Sequence, residues 1–106
     1  MRPSFAVEEA LLELGSHLKG ARLRRRLPQS IVAERAGISL NTLAKIESGQ
    51  PGVAVGNVAA VLHALGLLDA LSALASPESD GVGQMLETEN LPKRIRRKRG
   101  SNRNSI

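Results

Sequence analysis

Residues 29–48, QSIVAERAGISLNTLAKIES, constrain this chain more than any other stretch. Val32 and Ala36 set apolar groups four apart, and Leu43 and Ile46 set them three apart, so two short helices are predicted on either side of Ala36-Gly37-Ile38-Ser39. Gly37 can take positive φ at the end of the first helix, and Ser39 can cap the start of the second. Ala33 is small where the second helix has to cross the first closely. Two helices forced together over so short a turn leave few arrangements for the rest of the chain.

Composition narrows them further. A length of 106 residues supports one small all-helical core. The absence of cysteine rules out disulfides and thiolate metal sites, and no basic flank precedes an apolar signal core, so a cytoplasmic address is expected. The apolar run over 53–75 is broken by Asn57, His63 and Asp69 and does not read as a membrane span. Phe5 is the sole aromatic residue, so the core must come from Leu, Val, Ile and Ala, and there is no stacking platform for RNA or single-stranded DNA. His17 and His63 lie in helical patterns without Cys or carboxylate at ligand spacing, so no metal is expected. Ser16 beside His17 makes no triad, and the glycines fall at turns and helix ends rather than in a phosphate-binding motif. Neither an enzyme nor a cofactor is expected.

Before the central stretch, Ser4 can cap a helix with Glu8 and Glu9 in its first turns and Val7, Leu11, Leu14, Leu18 and Ala21 along one face, reaching about Arg26. Gly15 and Gly20 inside it each cost about 1 kcal/mol relative to alanine. The sequence leaves open whether this is one helix or two with a bend near Gly15-Ser16. Lys19, Arg22, Arg24, Arg25 and Arg26 crowd its end. After the central stretch, Gly49 and Pro51 end the second helix of the pair. Val58, Val61, Leu62 and Leu65 form a fourth helix closed by Gly66, and Leu67, Leu68, Leu71 and Leu74 form a fifth, stopped at Ser76-Pro77.

The domain is therefore expected to span 1–76, followed by a flexible basic tail over 77–106. Val82, Met85, Leu86, Leu91 and Ile95 are too few to order the tail alone, with at most one helical turn or a partner-bound strand over 84–89. Lys93, Arg94, Arg96, Arg97, Lys98, Arg99 and Arg103 lie in it, and without them the remainder is net acidic although the whole chain is +5. They can meet DNA backbone or a partner.

The pair of helices over 29–48 has the constraints of a helix-turn-helix. Its second helix would enter the major groove with Leu40, Asn41, Thr42 and, one turn on, Lys45 toward the bases, and Ser39 at the same end is counted with them as a DNA-binding residue. Asn41 can pair with an adenine edge, Thr42 can contact a base or phosphate, Leu40 can meet a thymine methyl, and Lys45 can reach a guanine or a phosphate. Gln29, Ala33, Gly37, Ile38, Leu43 and Ile46 together resemble the motif of the phage-repressor-like (Xre/Cro-type) DNA-binding proteins. That resemblance implies an all-α, five-helix domain acting as a homodimer on palindromic double-stranded DNA. It also implies that Gln29 grips a phosphate and that Arg22 and Glu47 form a structural ion pair. Pro28 departs from the family, which usually has a capping Ser, Thr or Asn there, so other groups must hold the helix start.

Beyond the motif, PGVAVGNVAAVLHALGLLDAL over 51–71 and LPKRIRRKR over 91–99 resemble the HipB-type antitoxins of HipA/HipB toxin–antitoxin pairs. This implies a repressor of its own operon that also binds a HipA-type serine/threonine kinase toxin. The alternative is a stand-alone phage-type or host regulator.

Overall fold

The computed structural model describes residues 3–95. Over that range the chain runs α1 (Phe5–Arg24), α2 (Gln29–Ala36), α3 (Leu40–Glu47), α4 (Val55–Ala64), α5 (Leu68–Ser72), a 3-10 turn (Pro77–Ser79) and α6 (Gly81–Ile95). The five expected helices are present, and a sixth follows them. One compact unit extends to Leu71 and a second begins at Ser72.

In the first unit, α2 packs on α3 and α4, and α1 packs on α3. Leu18 and Ala21 of α1, Val32 and Ala33 of α2, Leu43 and Ile46 of α3, and Val61, Leu62 and Leu65 from α4 and its end make the core. Leu27, Ile38, Val53, Leu67 and Leu71 close its rim. Val32, Leu43 and Val61 are fully enclosed, and burial of this kind contributes about 1.5–3 kcal/mol per side chain.

α1 is continuous, capped by the Ser4 hydroxyl, which accepts from the Val7 amide at 3.3 Å. Gly15 causes no break because it is a crossing point. A Cβ there would stand 2.6 Å from the Glu47 carbonyl oxygen and 2.7 Å from that of Ile46. On the other side, a Cβ on Gly49 would stand 2.7 Å from Leu12 Cα. Backbone therefore meets backbone where α1 passes the end of α3, and only glycine fits at either position. The buried stripe of α1 is accordingly Gly15, Leu18, Ala21 and Arg22, with Leu11 half-buried. Val7 and Leu14, which the apolar period assigns to the same face, are exposed, since α1 meets the end of α3 rather than its full length.

The first four helices end alike. After α2, Gly37 N donates to Glu34 O and Ile38 N to Ala33 O. The ends of α3 and α4 repeat this with Gly49 and Gly66 in the left-handed region at φ 77°. Each is a Schellman closure, which supplies partners for the last carbonyls of the helix. At the end of α1 the left-handed position, φ 55°, is filled by Arg26 instead, with Leu27 N donating to Arg22 O at 3.2 Å. The helix thus stops at Arg24, short of the expected Arg26.

In the second unit, the residues after Pro77 form a turn and a four-turn helix where the sequence suggests an unstructured tail. Asp80 provides the reason: its Oδ1 accepts from Gly83 N at 2.9 Å and its carbonyl from Gln84 N at 2.9 Å, a capped helix start. The Gln84 side-chain amide also donates to the Pro77 carbonyl, tying the helix to the preceding turn. Thr88 and Asn90 donate to carbonyls one turn back.

Candidate nucleic-acid interface

α3 has two faces. Leu43, Ile46 and Glu47 are buried, while Leu40, Asn41, Ala44 and Lys45 are exposed and Thr42 is half-buried at the edge. Leu40, Asn41, Ala44 and Lys45 stand at spacings of three and four, so they share one side of the helix and present an apolar, amide, methyl and ammonium group together. Ala44 escapes a sequence reading, because an alanine in this position is equally at home in a core. Exposed between Asn41 and Lys45, it allows close approach to a base edge and can meet a thymine methyl.

The start of α3 is built by Ser39. Its hydroxyl oxygen accepts from the Thr42 amide at 3.0 Å, and its own hydrogen is donated to Thr42 Oγ1 at 2.9 Å. At the other end, the Lys45 carbonyl accepts from Gln50 N and from the Ser48 hydroxyl, so the last turn is closed as well.

Behind α3 lies a charged clamp. Arg22 Nε donates to Glu47 Oε2 at 2.7 Å and Arg22 Nη2 to Glu47 Oε1 at 3.1 Å, a two-pronged ion pair whose side chains are 8% and 5% exposed. Arg22 Nη1 donates to the Leu27 carbonyl at 2.9 Å, and the Gln29 side-chain amide donates to Glu47 Oε1 at 2.9 Å. α1, the α1–α2 turn, the start of α2 and the end of α3 are thereby joined through one carboxylate. This also answers the question posed by Pro28, which caps α2 with no side-chain hydrogen bond. The residues on either side of Pro28 are held by Arg22 and Glu47. With its side chain directed at Glu47, what Gln29 offers a phosphate is its backbone amide in the first turn of α2.

Of the basic residues around the end of α1, Arg25 donates to the Ala21 carbonyl through Nη1, and Lys19, Arg24 and Arg26 are exposed. Lys93 and Arg94 belong to the last turn of α6, where the backbone alone is described. Arg96, Arg97, Lys98 and Arg99 lie outside the described residues. Among the described residues no helix is long and apolar enough to cross a membrane.

Two short helices over a glycine turn, with one face of the second locked to a helical core and the other exposed and carrying amide and ammonium groups, define a helix-turn-helix of the DNA-binding type. A family model described as a helix-turn-helix domain matches residues 13–75, and the chain belongs to that family. It is thus a DNA-binding regulator of helix-turn-helix type, similar to the Xre-like proteins. No curated protein matches the chain. No solved structure matches it either.

Proposed function

We propose that this protein is a transcriptional repressor that binds a palindromic duplex as a two-fold homodimer, each copy laying the N-terminal half of α3 in the major groove. The exposed face of Leu40, Asn41, Ala44 and Lys45 carries this reading, because it stands opposite a face immobilised by the Arg22–Glu47 clamp. A rigid helix can hold donors and acceptors in register with base edges, and two copies can read half-sites about one helical turn apart. Asn41 makes a two-bond pair with an adenine, Thr42 and Lys45 contact neighbouring bases or phosphates, and Leu40 and Ala44 meet thymine methyls. The test is Asn41→Ala, which should cost about 1–3 kcal/mol on the cognate duplex and little on random DNA. An equal loss on both would make Asn41 a backbone contact and sink its role in base reading.

A second role is favoured by α6. Val82, Met85 and Leu86, at i, i+3 and i+4, are 68%, 60% and 53% exposed on a capped helix. Such a stripe gains from burial against an apolar surface of the kind that another chain can provide. Together with the resemblance over 51–71 and 91–99, it supports an antitoxin that binds a HipA-type kinase and represses their shared operon. Co-expression with the product of the adjacent gene, followed by co-purification, tests this. If no complex forms and the neighbour's toxicity is indifferent to this protein, the stand-alone regulator is the reading that remains.

A further inference from the structure

We infer that Ser39 sets the hydrogen-bond polarity of Thr42, so that Thr42 reads an acceptor on the base it faces and discriminates against a donor. The inference rests on the DNA-binding reading above and specifies one position of it. Ser39 Oγ is engaged twice: it accepts from Thr42 N at 3.0 Å, and its hydrogen goes to Thr42 Oγ1 at 2.9 Å. Thr42 Oγ1 thus already accepts once on its protein side, while its own hydrogen has no acceptor among the described residues; a base acceptor would satisfy that hydrogen, whereas a base donor could use only the remaining lone pair and would leave it unmatched. In a relay of this kind, amide to serine to threonine, each bond polarises the next, so the terminal hydroxyl becomes a stronger donor. The pair lies at the exposed end of α3, beside Asn41. In the major groove, the partners for a donor are guanine N7 and O6, adenine N7 and thymine O4, whereas cytosine presents the N4 amino group. Thr42 thus favours guanine, adenine or thymine over cytosine at its position. Ser39 is a positioning residue that enforces this without touching the base.

The experiment measures binding of the full chain to duplexes carrying each base pair at each half-site position, for wild type, Thr42→Val and Ser39→Asp. Thr42→Val keeps the shape of the side chain and removes the hydroxyl. It should flatten the preference at one position, and an analogue lacking the acceptor there, such as a 7-deazapurine in place of a purine, should weaken wild type about three- to tenfold and leave Thr42→Val unaffected. Ser39→Asp still caps the Thr42 amide, as a thermal melt would verify, but it accepts from the Thr42 hydroxyl instead of donating to it. Its preference at that one position should shift toward cytosine, read as a ratio between duplexes so that the added negative charge cancels. A wild-type preference for cytosine there, an unaltered preference in Ser39→Asp, or no flattened position in Thr42→Val overturns the inference and leaves sequence-specific binding standing. Loss of all sequence preference in the wild type itself would overturn the DNA-binding reading and this inference with it.

Discussion

The carboxylate of Glu47 is the most consequential single group in the first unit, because three donors from two other segments converge on it. Its removal leaves the Arg22 guanidinium buried with only the Leu27 carbonyl as partner. Glu47→Ala is therefore expected to destabilise the fold by about 3–5 kcal/mol in urea titrations. Asn41→Ala, on the exposed face, should stay within about 0.5 kcal/mol of wild type. Unchanged stability in Glu47→Ala, with DNA binding abolished, would move Glu47 from the scaffold to the interface. Arg26 makes the opposite case. It occupies a left-handed position that its Cβ disfavours by roughly 1 kcal/mol, and the equivalent places after α2, α3 and α4 are glycines. Arg26→Gly should raise the melting temperature by roughly 4–8 °C. A lower melting temperature would mean that the arginine side chain compensates for its backbone.

At the scale of elements, α1 contains two glycines that should respond to the same substitution with opposite signs. Gly15→Ala drives a methyl into the carbonyls of Ile46 and Glu47 and is expected to cost about 1–3 kcal/mol, since neither backbone can retreat. A Cβ on Gly20 meets only the tip of the Arg24 side chain at 3.3 Å, so Gly20→Ala should gain about 1 kcal/mol of helix propensity. Equal effects in paired melts would show that the crossing is looser than it looks. These two glycines also mark the limit of what sequence can say. α2 and α3 are legible because their signals are local: Gly37 turns, Ser39 caps and Ala33 fits the crossing. The role of Gly15 is set by residues more than thirty positions away, so along the chain it reads as a weak point. Helix α6 is hidden for another reason: Asp80, its cap, is followed by Gly81 and Gly83, which read as loop. On the candidate interface, Asn41 and Lys45 are legible as polar groups off the Leu43–Ile46 apolar stripe of the helix. Ala44 is not, and the direction of the Gln29 side chain depends on where Glu47 comes to rest.

For the whole molecule, charge is divided unevenly, with seven of the fifteen basic groups in residues 93–103. A segment of that kind can supply phosphate contacts without base information. Deleting residues 93–106 should flatten the dependence of log K on log salt by about 0.9 for every phosphate that the tail neutralises, with the preferred site unchanged. An identical slope would assign the basic groups to a protein partner instead. The backbone contact of Gly15 with the end of α3 carries a kinetic consequence. The four Schellman closures are encoded beside the helices they end, so those turns can form early and fast. Seating α1 against Gly49 requires the turn after α3 to exist already, and belongs to the final stage of assembly. In a chevron, Gly15→Ala should accordingly leave the refolding limb in place and lift the unfolding limb, which makes this crossing the latch that determines how long a folded molecule lasts.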